Sequence, residues 1–107
     1  MARTRKIRRD CNYIIYQAAD EQGMTYVGLT RKATTVQKSV KERWRKHLSR
    51  ARNEARDWTL YEYLRDGALE HAWTHEIIEI VRGRAAAYAR ERELVKLMKP
   101  TLNDQYM

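Results

Sequence analysis

The sequence predicts an α+β domain in which a small sheet is covered by helices, in the order strand, strand, helix, helix, strand, helix. Three observations lead there. Two short runs rich in β-branched and aromatic residues flank a turn-like pentapeptide near the start. Two later stretches repeat apolar residues at helical spacing. An isoleucine-dense segment ends at Gly83, before a stretch of alanines, leucines and long charged residues that Pro100 stops. A chain of 107 residues has room for one core. The expected division is therefore a basic arm over residues 1–10 and a single domain over 11–107, with one active site.

The arm holds Arg3, Arg5, Lys6, Arg8 and Arg9 with no acidic residue before Asp10, so self-repulsion should keep it loose. A solvated tail and a phosphate-contacting arm fit it equally. Asn12 to Gln17 and Met24 to Leu29 then read as strands, joined by a hairpin loop over Ala19 to Gly23. A loop centred on Glu21 would set Tyr16 opposite Tyr26, with both phenols on one face. Simple packing accounts for such a pair.

Polar residues from Thr30 to Ser39 include Arg31, Lys32 and Lys38 and precede a helix predicted from Val40 to Arg56. Its apolar stripe is Val40, Trp44, Leu48, Ala51 and Ala55, beside a row of Arg43, His47, Arg50 and Glu54. Residues 31 to 56 carry ten Lys and Arg against Glu42 and Glu54, an imbalance that a solvated face rarely needs. A shorter helix follows from Trp58 to Arg65, closed by Asp66-Gly67, then a third strand from Trp73 to Val81 and a last helix from Arg84 to Met98. On that helix Glu91 shares the stripe of Ala87, Leu94 and Met98. A partly buried carboxylate needs an arginine, hydrogen bonds or a metal beside it, so a structural salt bridge and a functional role are both open. Glu93 points elsewhere, towards a surface ion pair with Arg90 and Lys96.

Charge narrows the partner. Lys and Arg total 22 against 14 Asp and Glu, a net charge of +8, which points to an anionic partner and first to nucleic acid. A membrane role would need a strongly apolar amphipathic face or a lipidation signal, and neither is visible. Cys11 has no second cysteine to pair with, which predicts a reducing, cytoplasmic home. The three histidines and one cysteine lack zinc-site spacing, and His71 and His75 read as ordinary surface residues of a strand.

Taken together, four elements resemble a known family. Ile14-Ile15-Tyr16 and Tyr26-Val27-Gly28, split by a short turn, are similar to the paired tripeptides that name the GIY-YIG nucleases. Arg43, Trp44 and His47 resemble the family's helix motif of arginine, aromatic residue and histidine. Glu91, followed nine residues later by Pro100 and then by Asn103, resembles its glutamate helix and Pro-x-x-Asn closure. The resemblance spans roughly Asn12 to Asn103 and implies a three-stranded mixed sheet flanked by helices, with tyrosines, arginine and glutamate converging on one sheet face.

The resemblance also implies roles: a DNA endonuclease that hydrolyses phosphodiesters with Mg²⁺ or Mn²⁺ held by Glu91. Tyr16 would contact or deprotonate the attacking water, Tyr26 would position it or the phosphate, and Arg43 would face the scissile phosphate. His47 would assist, and Gly28 and Asn103 would brace the site. Magnesium keeps several waters and takes few carboxylates, so one glutamate is enough. An arginine fork matches phosphate oxygens and stays charged. A tyrosine near pKa ~10 needs a cation's help to act as a base, which leaves His47 as the rival. Arg31, Lys32, Lys38, Arg45, Lys46 and Arg50 are the expected DNA contacts, and no organic cofactor is expected. Ile14 replaces the first motif's glycine, and the interval from Tyr26 to Arg43 is long, which predicts a loop over the site at Ala33 to Ser39. With no appended DNA-reading module, specificity is expected from dimerisation or a protein partner. The alternative is a binding module that kept the fold and lost catalysis.

Overall fold

A computed structural model describes residues 11–54 and 58–103 and forms one three-stranded sheet. Its strands are β1 (Asn12–Asp20), β2 (Thr25–Arg31) and β3 (Trp73–Arg82), in the order β2-β1-β3. The helices are α1 (Val36–Asn53), α2 (Thr59–Arg65) and α3 (Arg84–Met98), with a 3-10 turn over Ala68–Glu70 before β3. The predicted class and element order hold. On one point they are corrected: the sheet is antiparallel throughout rather than mixed. β2 and β3 run in the same direction, but β1 lies between them, so no parallel pair forms. The basic arm, together with Ala55 and Arg56 of the predicted first helix, lies outside the described residues.

The hairpin register also differs from expectation. Tyr16 faces Gly28 and Ala18 faces Tyr26, so the two tyrosines are diagonal neighbours, with ring centroids 6.5 Å apart. The reason is Asp20, which carries β1 into the predicted loop and closes a tighter turn. Its Oδ1 accepts from the backbone N–H of Gln22 at 3.0 Å and of Met24 at 2.9 Å. Gly23, at φ +82°, supplies the left-handed residue that this turn needs.

Alternate residues of β1 serve two cores, as strand geometry requires. Ile14, Tyr16 and Ala18 pack with Val40 and Trp44 of α1 and Leu60, Tyr61 and Leu64 of α2. Ile15 packs with Val27, Leu94 and Val95, the last two from α3. α1 begins earlier than predicted, because Thr35 caps it by accepting from the N–H of Lys38 at 3.2 Å. Ser39, expected in a loop, is instead buried in the first turn, where its hydroxyl donates to the carbonyl of Thr35 at 2.8 Å and accepts from the N–H of Ala33 at 3.0 Å. The connection between β2 and α1 therefore shrinks to Lys32–Thr35, and none of these residues lines the cavity that holds Glu91. On α3, Ala87, Glu91 and Leu94 are buried as predicted, whereas Met98 is exposed and Val95 packs in its stead. Glu93 pairs with Arg90 at 3.3 Å, as its position on the helix implied.

Beyond α3 the chain turns through Lys99, at φ +49°, and Pro100, and runs along the outer edge of β2. Leu102 N–H donates to Thr25 O at 2.9 Å, and the N–H of Thr25 donates to Thr101 Oγ1 at 2.8 Å. An edge that would otherwise expose unpaired backbone groups is covered.

Candidate active site

Gly28 brings the two tyrosines together. A Cβ at this position would lie 2.6 Å from Cζ and Oη of Tyr16 and 2.8 Å from Cε2 of Tyr26, so the phenols rest where a side chain would be. Tyr16 is fully buried, and its hydroxyl has no partner among the described residues. Burial pushes its pKa well above the usual value; Tyr26 adds to the rise, Arg43 opposes it, and Glu91 and Tyr61 add again. The phenol is neutral at physiological pH.

α1 contributes Arg43, Trp44 and His47, whose spacing sets them along one side of the helix. His47 is 1% exposed and lies edge-on to Tyr26, ring centroids 5.5 Å apart, with Nδ1 3.0 Å from the hydroxyl of Tyr61. Burial, reinforced by the charges of Arg43 and Arg50, holds its pKa down at about 3, so the ring is a neutral imidazole. Nε2 of His47, Nε of Arg43 and Nε1 of Trp44 are buried without partners among the described residues.

α3 brings Glu91 to the same place. A cavity of about 320 Å³ has Tyr26, Arg43, Glu91 and Asn103 among its lining residues. Glu91 is 8% exposed, and among the described residues its carboxylate has no hydrogen bond or ion pair. Burial raises its pKa, while the charges of Arg43 and Arg92 pull it back. Asn103 is fixed by a two-way pairing with the edge of β2: Oδ1 accepts from the N–H of Val27, and Nδ2 donates to its carbonyl, both at 2.8 Å. The structure thus gathers Tyr26, Arg43, Glu91 and Asn103 around one cavity. Tyr16 lies behind Tyr26, and His47 packs beneath it without lining the cavity.

An adjoining cavity of about 370 Å³ shares Leu29, Arg43 and Tyr88 with the first. It collects Arg31 and Lys46 from the predicted nucleic-acid contacts, along with Arg84. Lys32, Lys38 and Arg45 are exposed and line neither cavity, and Arg50 pairs with Glu54 at 3.6 Å. Arg84 and Tyr88 were missed from sequence, although their spacing of four and then three residues to Glu91 places all three along one side of α3. Trp58, which also borders the Glu91 cavity, carried no comparable signal.

His71 and His75 are not the surface pair that their strand-like setting suggested. His71 lies before β3 and bonds Asp20, Nδ1 to Oδ2 at 3.0 Å. His75 packs edge-on against Trp44, ring centroids 5.0 Å apart, with Nε2 buried. Among the described residues, no three His, Cys, Asp or Glu side chains gather as a potential metal cage.

A profile of the GIY-YIG catalytic domain matches residues 11–104, nearly the whole chain. The chain belongs to the GIY-YIG family. Membership indicates nuclease-type chemistry on nucleic acid. The two tripeptides that mark the family fall on β1 and β2, where Tyr16 and Gly28 are register partners. Neither curated proteins nor solved structures gave a match. No helix among the described residues is long and apolar enough to cross a membrane.

Proposed function

We propose that this GIY-YIG domain is a metal-dependent DNA endonuclease working in the cavity lined by Tyr26, Arg43 and Glu91. The observation that carries the reading is the Glu91 carboxylate. Glu91 is buried as a residue, its carboxylate has no hydrogen bond or ion pair among the described residues, and it lines a cavity with an arginine whose Nε lacks a partner among them too. Burying a carboxylate without hydrogen bonds is costly, and a residue kept for packing would be apolar or paired.

The donor set fits one kind of ion. A single carboxylate suits a hard divalent cation that completes its shell with water and phosphate oxygens, such as Mg²⁺ or Mn²⁺. Such an ion, when bound, polarises the phosphate and stabilises the leaving oxygen. Glu91 would hold it. Arg43 would place its guanidinium against the scissile phosphate and oppose the charge that builds there. Tyr26, which borders the cavity, would align water or phosphate, and Tyr16, neutral and buried behind it, would act through Tyr26. His47 would act through Tyr26 and Tyr61, as its buried ring engages both. Asn103 would keep the C-terminal wall in register with β2. Arg31 and Lys46 would carry the neighbouring phosphates.

The test is cleavage of supercoiled plasmid by the purified protein with Mg²⁺ or Mn²⁺, beside Glu91→Ala and a sample in EDTA. Nicking or linearisation that disappears in both controls is the expected result. Salt-sensitive binding without cleavage under either metal would favour a binding module instead, and cutting of RNA alone would overturn the choice of DNA.

A further inference from the structure

The chemistry above uses only the polar residues that line the Glu91 cavity. The lining also includes Leu29, Trp58, Leu60, Tyr88 and Leu102. Phosphate and metal-bound water have no use for such a wall, because both need hydrogen-bond partners.

Exposure sharpens the point. Among the described residues five large hydrophobic side chains are exposed: Trp58, Ile80, Tyr88, Leu97 and Met98. The two aromatic ones, 40% and 43% exposed, border this cavity, and the three aliphatic ones do not. Both rings are held in place. Trp58 lies against Tyr61, centroids 5.0 Å apart and planes 33° from parallel. The guanidinium of Arg84 sits 5.6 Å from the centre of the Tyr88 ring. Arg84 also lines the adjoining basic cavity with Arg31, Arg43 and Lys46, against one acid, Glu42. Four cations beside two oriented aromatic rings make a path for a sugar-phosphate backbone with a stacking site next to it.

We infer that Trp58 and Tyr88, which line this cavity, receive one unstacked nucleobase adjacent to the cut, so that the preferred substrate carries an unpaired nucleotide there. In an intact duplex every base is stacked and paired and presents only its edge, whereas an unpaired base has a flat face to set against an aromatic ring. The whole cavity, at about 320 Å³, is at the small end of ligand pockets, so beside the phosphate site it has room for a single planar ring system and none for a helix. Stacking of this kind is tolerant of base identity, so the recognition is of structure rather than sequence.

The inference rests on reading the site as a phosphodiesterase, and its test separates the two. Binding is measured in EDTA, where no cutting is expected, to a duplex with one extra unpaired nucleotide and to a fully paired duplex of the same length. The wild-type protein is expected to bind the first about tenfold more tightly. That ratio should fall towards one in Trp58→Ala and in Tyr88→Ala and persist in Trp58→Phe and Tyr88→Phe, which keep a stacking face. Circular dichroism and thermal melting check folding, and Tyr88, exposed on α3, is the substitution least able to disturb it. Equal binding of both duplexes by wild type, or a preference that survives both alanine variants, overturns the inference. The same duplexes with Mn²⁺ report on the nuclease. Binding preference without cleavage would leave the base pocket standing and sink the nuclease reading. Cleavage without preference would do the reverse.

Discussion

Two carboxylates are buried in this small domain, and they are treated in opposite ways. Asp20 accepts hydrogen bonds from the N–H groups of Gln22 and Met24, from the hydroxyl of Tyr63 and from Nδ1 of His71. Burial would raise its pKa, but those four donors outweigh burial and hold it at about 2. Glu91 has no such donors, and burial wins: its pKa is raised, with only the charges of Arg43 and Arg92 in opposition. Asp20 joins the hairpin tip to α2 and the 3-10 turn, and its charge is spent on structure. In the proposed reading the charge of Glu91 is left available to a cation. Hydrogen-bond satisfaction, rather than burial, then separates the structural acid from the one proposed to act in the site.

The sharpest way to break this contrast is Glu91→Gln. If Glu91 holds the cation, cleavage should drop by about 10³-fold or more, since a neutral amide replaces the only carboxylate in the cavity. Stability should move the other way. A folded-state pKa above the unfolded value means that the folded chain favours the protonated acid, so ionised Glu91 costs stability at neutral pH and that cost fades as pH falls. The glutamine variant should therefore melt higher than wild type at pH 7, and the gap should close towards about pH 4. Calorimetry at both values checks it; a variant that melts lower at pH 7 would mean that the carboxylate is a structural pair after all.

Arg43→Lys comes next. Charge is kept and the planar fork is lost, so cleavage should fall by about 10²-fold while DNA affinity changes little. Steady-state rates and filter binding separate the two. Matching losses in both would recast Arg43 as a general backbone contact.

Asp20→Asn tests the other side. Removing the charge that four donors share should cost about 2–3 kcal/mol, read from urea denaturation. Cleavage per folded molecule should be retained, because Asp20 lines neither cavity. Loss of cleavage in a folded variant would tie the hairpin tip to the site.

The sequence showed these two acids unequally. Glu91 was visible because helical period set a carboxylate among apolar residues, a conflict that local pattern exposes. Asp20 was hidden, since it looked like a turn residue in Ala19 to Gly23. Its partners Tyr63 and His71 come from distant parts of the chain, and hydrogen bonds across 43 and 51 positions leave no periodic trace. The same limit explains the register error. Asp20's bonds to the N–H groups of Gln22 and Met24 move the turn and slide Tyr26 from facing Tyr16 to a diagonal position. Element order was legible because each element announces itself locally. Which cations reach the site was not: Arg31 and Lys46 border a cavity whereas Lys32 and Arg45, their chain neighbours, do not, and only the packing of α1 against the sheet decides this.

The smallest effect is the most specific. Tyr63→Phe removes one of the four donors to Asp20 and should cost about 1 kcal/mol, which lowers Tm by about 4–8 °C for a domain of this size. Its pH dependence is what distinguishes it from ordinary loss of packing. Burial, then the hydrogen bond to Asp20 and the negative charges of Asp20 and Glu21, push the Tyr63 pKa up to about 12. A folded-state value above the unfolded one, near 10, means that the Tyr63 contribution is fully present below about pH 10 and disappears as pH rises through 12. Wild type should therefore lose stability across that window more steeply than Tyr63→Phe, which has no proton to release, and the two curves should converge at its upper end. At the acid end the Asp20 contribution is present above about pH 4 and lost as pH falls towards 2, in both proteins, because three donors to the carboxylate remain in the variant. Parallel curves between pH 10 and 12 would show that the Tyr63 hydroxyl does not serve Asp20, and the account of a fully satisfied acid would lose its strongest donor.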